Sequence, residues 1–318
     1  MSDFEKDVLT GLSQSPKRIS SRYFYDQNGD AIFQQITKLP EYYLTKAENE
    51  ILRKEALIEH LKTYFKNDLD IYELGAGDGT KTRILLKNLK NHGLDFHYFP
   101  IDISSSVLAE LVENLSSEFE RETIQPIQGT YFETLEKINR KGKRKKLILF
   151  LGSNIGNLLH PEAIKFLSRL EDCLYYGDQV MIGFDLVKDP KTILRAYDDP
   201  QKVTSRFNKN LLVRINRELN GNFKLDRFEH QAVYNPESGT CSSYLISLED
   251  QVVEVSDEIF SFYKWETIHT EISQKYTHKV INWLAEKSGL KSVANFRDSQ
   301  AFFADYLFIK NKIDVPYC

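Results

Sequence analysis

The stretch DLDIYELGAGDGTKTRILLKNL, Asp68–Leu89, decides how this 318-residue chain is read. Its first residues are apolar and short enough for a buried strand. Gly75, Gly77 and Gly79 then make a tight turn, and helical spacing begins near Thr80. Strand, glycine turn, helix is the opening unit of a nucleotide-binding α/β sheet. Two ligands suit that turn: a dinucleotide, or S-adenosylmethionine. The dinucleotide fingerprint G-x-G-x-x-G would need a glycine where Thr80 stands. Glu73 precedes the first glycine, where it would repel a phosphate and suit the cationic amine of a methionyl tail. The turn therefore favours S-adenosylmethionine over NAD.

Reading outward, DFHYFPIDISSSVLAELVENL gives a second strand near Phe96–Ile101 and a helix from about Ser105. Asp102 closes that strand, 27 residues after Gly75, where a carboxylate can accept both hydroxyls of a ribose. A weak third strand fits Thr123–Gln128, followed by Thr130 and Tyr131, placed to bond and stack an adenine. KKLILFLGSNIGNL is a strongly apolar strand running into another glycine-bearing turn. PEAIKFLSRLEDCL then reads as helix and QVMIGFDLV as strand. Strands alternating with helices over this span imply a doubly wound, mostly parallel sheet.

The flanks differ. Residues 1–60 are polar, Tyr-rich and helix-prone, with a turn signal at Asn28–Gly29 and a break at Pro40. Thr45 and Glu48 have the spacing of a capping box for a helix carrying Ile51, Leu52, Leu57 and Leu61. After Pro190, VTSRFNKNLLVRINREL is helical, and Phe228–Phe262 alternates like antiparallel strands. THKVINWLAEKSGL is a helix ended by Gly289. KSVANF and FFADYLFIK supply two more strands for the sheet. The expected organisation is residues 1–60 as the first part of a substrate lobe and 61–190 as the cofactor domain. Residues 191–275 are expected as an inserted α+β substrate lobe, and 276–318 as the completion of the cofactor domain. The sheet is expected to be Rossmann-like, with an antiparallel last strand. The two flanking segments are expected to cover the carboxyl ends of its strands, where open α/β sheets bind ligands.

Composition narrows the function classes. The net charge is 42 − 46 = −4, which gives no general attraction to nucleic acid or anionic lipid. The basic run Arg140–Lys146 reads as a solvated loop. No apolar run reaches membrane-spanning length, and the N-terminus is too polar for a signal peptide. Cys173, Cys241 and Cys318 form no disulfide framework or zinc grid, so a reducing cytoplasm is the default and no metal is expected. The DPPY-like loop of nucleobase amine methyltransferases is replaced by GSNIGN. An inactive nucleoside-binding scaffold is the remaining alternative class.

Several stretches together resemble the histidine-specific, S-adenosylmethionine-dependent methyltransferase family: SPKRISSRYFYD, ITKLPEYYLTKAE, ELGAGDGTKT, FLGSNIGNL, AYDDPQKVTSRFNKNLLVRINREL, FEHQAVYN and TEIS. The resemblance runs from about Ser15 to Lys310. It implies a class I methyltransferase sheet and transfer of up to three methyl groups to the α-amine of L-histidine, giving hercynine on the way to ergothioneine. S-adenosylhomocysteine would be the coproduct, and the enzyme is expected to act as a monomer on a small molecule. Tyr42, Gly75, Lys81 and Asp102 match its cofactor contacts, alongside Glu73 and Gly77 of the turn. The adenine pair, usually Asp-Phe, is here Thr130-Tyr131. Gly152, Asn157 and Tyr197 match residues at the substrate's carboxylate and amine. Tyr25, Glu271 and Ser273 match those around the imidazole. Tyr25, Asn157 and Tyr197 are thereby the candidates for catalysis. The substrate wall departs from the family pattern at Ser243-Tyr244, so another amino acid or aromatic amine stands as the alternative substrate.

Overall fold

The computed structural model describes residues 1–66, 69–138 and 144–311. Cys318 and the residues 140–143 of the basic run lie outside them. The chain divides into two compact units. The first comprises Met1–Tyr43 and Lys188–Lys275; the second comprises Leu44–Val187 and Tyr276–Cys318.

The second unit is built on a seven-stranded sheet. Its spatial order is Leu290–Arg297, Phe303–Lys310, Gln179–Asp185, Lys145–Phe150, Leu69–Leu74, Phe96–Asp102, Ile127–Gln128. The five strands from Gln179–Asp185 outward run parallel, whereas Phe303–Lys310 is antiparallel to both its neighbours. The class I methyltransferase sheet with an antiparallel last strand is therefore present. Leu69–Leu74 and Gln179–Asp185 are buried at every position, as parallel strands covered on both faces must be. The third strand shrinks to Ile127–Gln128, with one further bridge from Ile124 to Tyr98.

Helices Tyr43–Leu52 and Glu55–Phe65 also belong to this second unit rather than ending the N-terminal lobe at residue 60. The second of them buries Leu57, Ile58, Leu61 and Phe65. Two further local expectations change. Thr45 lies inside the first helix, so it caps nothing; Glu48 is buried and serves elsewhere. Asn28–Gly29 is the first turn of helix Gln27–Ile36, because Asp26 caps that helix by accepting from the Gly29 amide at 2.7 Å.

The first unit joins two distant stretches of sequence. Its four-stranded sheet has the order Lys17–Arg18, Thr267–Gln274, Thr240–Ser247, Phe228–Asn235, with a separate hairpin of Gln251–Val255 and Glu258–Phe262. One apolar cluster binds the unit: Phe4, Val8, Phe24 and Ile36 from the N-terminal segment pack with Phe207, Leu211, Phe228 and Leu245. No helix among the described residues is long and apolar enough to cross a membrane.

Candidate active site

In the second unit the glycine turn follows strand Leu69–Leu74. Gly75, Gly77 and Gly79 all take positive φ, which side-chain-bearing residues rarely adopt. At Gly75 a Cβ would also lie 2.6 Å from the Tyr131 hydroxyl. The turn thus keeps bare backbone facing Tyr131, whose own hydroxyl pKa is pushed up to about 12, by burial first and by the charges of Asp102 and Glu73 after it. Asp102 stands at the end of the neighbouring strand. One of its oxygens accepts from the Ser104 amide at 3.0 Å, which orients the carboxylate. Thr130 donates its hydroxyl to Glu133 at 2.7 Å. Its oxygen can then only accept from a ligand, which is the role an adenine amine requires.

Glu73 does not face an open ligand position. It is buried, and its two oxygens accept from Thr82 at 2.6 Å and from Tyr98. Burial raises its carboxyl to about 7, against those hydrogen bonds and the charge of Lys81. Lys81 is in turn held by Glu48 at 2.8 Å. The other Glu48 oxygen accepts the Gly152 amide at 2.7 Å, so one buried carboxylate ties the first glycine turn to the turn after strand Lys145–Phe150. Gly152 has φ +76°, and a Cβ there would sit 2.7 Å from the Lys81 ammonium. Asp305, from the antiparallel strand, is fully buried near the same groups and keeps its proton well above the ordinary carboxylate range. Asn157 ends the short 3-10 turn Asn154–Asn157, exposed, while the Tyr276 hydroxyl donates to Ile155 within that turn at 3.0 Å.

The electrostatics decide between the two cofactor classes. Around the turns Asp305 keeps its proton, Glu73 holds its own to about pH 7 and Glu48 is paired with Lys81, so the uncompensated charge there is that of Asp102. A pyrophosphate would meet net negative charge here; a sulfonium with an ammonium tail would not. The residues present fit S-adenosylmethionine.

The first unit gathers a second set. Glu271 and Ser273 lie on strand Thr267–Gln274, two residues apart and so on one face. Glu271 pairs in register with Ser243, whose hydroxyl lies 3.5 Å from its carboxylate. Burial pushes the Glu271 carboxyl up to about 7. Tyr197, at the end of helix Pro190–Tyr197, brings its hydroxyl to 2.7 Å from that of Ser273. Tyr25 stacks edge-on to Phe33 and Phe207 at 5.6 and 5.5 Å, forming an aromatic wall. Tyr42 joins this wall against Phe33. Its hydroxyl proton is held tightly, by burial first and then by the charges of Tyr197, Tyr25 and Glu271. Tyr42, expected at the cofactor, lies in the first unit near Phe33, Tyr25, Tyr197 and Glu271. Tyr244 leaves the set: it points to the face opposite Ser243 and packs on His269 at 5.1 Å.

Three participants escaped the reading of the sequence. Glu48 looked like a cap residue, and Asp305 was not singled out within its strand. Lys275, two residues beyond Ser273, was not singled out; it is 2% exposed and donates to both Tyr197 and Ser273. The alternation Glu-x-Ser-x-Lys was the available signal for it.

Residues 4–310 match the model of a family described as histidine-specific methyltransferase, SAM-dependent. The chain is similar to a histidine N-alpha-methyltransferase of Mycobacterium tuberculosis, 37% identical over 94% of this chain and 92% of that one. A protein of the same name from Mycolicibacterium smegmatis is also 37% identical, over 96% and 94%. A 4-dimethylallyltryptophan N-methyltransferase of Claviceps purpurea is 26% identical over 60% of this chain and 58% of its own.

Proposed function

The chain belongs to the histidine-specific, S-adenosylmethionine-dependent methyltransferase family, and from that premise we propose that it methylates the α-amine of L-histidine, in up to three successive transfers ending at hercynine. The observation that carries the substrate reading is Glu271 with Ser273 on one strand face, beside Tyr25 and Tyr42. An imidazole offers one N–H and one bare nitrogen. Glu271 can accept from the first and a serine hydroxyl can serve the second. The Glu271 carboxyl near 7 and an imidazole near 6.5 share a proton readily, which a tryptophan or phenylalanine side chain cannot match.

In the mechanism, bound S-adenosylmethionine supplies an activated methyl group on a sulfonium. The chain's task is alignment and proton control. Asp102 would hold the ribose, the Gly75–Gly79 turn would admit the methionyl part, and Thr130 with Tyr131 would flank the adenine. In the first unit Tyr197 would meet the amino acid's carboxylate end, and Gly152 and Asn157 keep the substrate roles that the family resemblance implies for them. The amine must lose its proton before attack. Tyr25 is the candidate to relay it, its oxygen accepting the amine's proton as its own hydroxyl hydrogen passes to water, and the residue is 44% exposed. Tyrosine faces also suit the quaternary cation that accumulates after the third transfer. The small molecule is the expected partner and the cytoplasm the expected place of work; the buried thiols Cys173 and Cys241 fit a reducing compartment.

Transfer of label from S-adenosylmethionine to a panel of amino acids tests the proposal. Histidine is expected to be the preferred acceptor and to accumulate three labels. Labelling of another amino acid, with histidine untouched, would replace the substrate while leaving the chemistry.

A further inference from the structure

Glu271, Ser273 and Lys275 occupy every second position of one extended segment, so an acceptor, a hydroxyl and an ammonium follow one another along a single face. Lys275 Nζ donates to Ser273 Oγ at 2.6 Å and to the Tyr197 hydroxyl at 2.8 Å, and the two hydroxyl oxygens are 2.7 Å apart. The ammonium also lies 4.4 Å from the centre of the Tyr197 ring. All three groups are buried.

An ammonium has donors and no acceptor. Both hydroxyl oxygens therefore accept from Lys275, and their own hydrogens point away from it. At most one of those hydrogens lies between Tyr197 and Ser273. The triangle thus fixes a direction: one hydroxyl hydrogen joins Tyr197 and Ser273, and the other is directed away from the positive charge. Glu271 stands at the other end of the same face as an acceptor. A ligand matching this order carries an N–H donor at one end and a negative group at the other, which is the order of atoms in histidine from ring to carboxylate.

We infer that Lys275 is the positioning residue for the substrate's carboxylate, acting through the Tyr197 hydroxyl that it polarises and orients. The inference rests on the amino-acid reading above. It assigns to Lys275 the discrimination between an amino acid and the corresponding amine that lacks the carboxylate. A lysine buried only to prop Tyr197 would support both ligands alike.

The test compares binding of histidine and of histamine, which shares ring, chain and amine, by calorimetry in the presence of S-adenosylhomocysteine. Wild-type protein is expected to prefer histidine. Lys275→Met is expected to weaken histidine about 10- to 100-fold more than histamine, the loss of one hydrogen bond to a charged group, and to leave S-adenosylhomocysteine unchanged. Lys275→Arg is expected to restore most of the preference. Equal loss for both ligands, or an intact preference in Lys275→Met, would overturn the inference. Should that variant fail to fold, Tyr197→Phe carries the same expectation, and an unchanged preference there overturns it too. If the wild-type protein takes a different amino acid, the histidine reading fails by itself. The comparison is then made with that amino acid and its decarboxylated amine, and the role of Lys275 is decided separately.

Discussion

Glu271 and Glu73 both hold their protons to about pH 7, and burial is the main cause in each. For an acid raised in the folded state, the unfolded chain releases its proton first. Such a group contributes stability below about pH 4.5 that is lost as pH rises toward 7. Glu271→Gln is therefore expected to resist unfolding better than wild type at pH 8, by about 1–3 kcal/mol, with no gain at pH 4. Denaturant titrations at the two pH values read this directly; equal effects at both would show that Glu271 is not raised. The same substitution should weaken histidine far more than S-adenosylhomocysteine. At the cofactor end, Asp102→Ala removes a charged acceptor for two ribose hydroxyls, each worth about 1.5–3 kcal/mol. S-adenosylhomocysteine affinity is expected to fall about 100-fold or more, and unchanged binding in calorimetry would contradict the assignment.

At the scale of elements, Glu48 joins helix Tyr43–Leu52 to two turns that arise far apart in the chain. One buried carboxylate accepts the partly buried Gly152 amide and pairs Lys81, whose side chain is 31% exposed. Glu48→Ala leaves both without that acceptor and is expected to cost about 3–5 kcal/mol, seen as a lower denaturation midpoint. Glu48→Gln keeps one acceptor for the Gly152 amide and should cost less. Gly152→Ala probes the same junction from the other side. Its φ is +76° and its Cβ would press on the end of the Lys81 side chain. Lysine can swing aside, but only by leaving Glu48. A cost of about 1–2 kcal/mol with weakened S-adenosylhomocysteine binding is expected, and a neutral effect would show that the Glu48 clamp is dispensable.

At the scale of the molecule, each unit has its own sheet and its own apolar cluster. The N-terminal 43 residues contribute Phe4, Val8, Phe24 and Ile36 to the cluster of the first unit, along with Tyr25 and Tyr42 to its aromatic wall. Deleting residues 1–43 is expected to abolish histidine binding and turnover while the second unit still binds S-adenosylhomocysteine. Retained turnover in the truncated protein would remove Tyr25 and Tyr42 from the reaction.

The sequence by itself determined the α/β sheet and the cofactor turn, and the antiparallel closing strand only as part of the fold that the family resemblance implies. The first two rest on local signals: apolar runs of strand length, glycines where φ must be positive, and a helix beginning directly after them. It singled out Asp102 by its place at a strand end, and Tyr25, Tyr197, Glu271 and Ser273 as candidates through the family resemblance. Only the tertiary structure decided the rest. Whether Glu48 caps a helix or bridges two turns depends on groups more than thirty residues away, so the capping spacing misled. Whether Tyr244 lines a wall depends on strand register, because a pleated strand sends neighbours to opposite faces. Lys275 carries the charge of a surface residue, and its burial follows from a helix end and a strand that meet by folding alone. Charge and periodicity are written along the chain; which charges share a buried environment is a property of the packed structure.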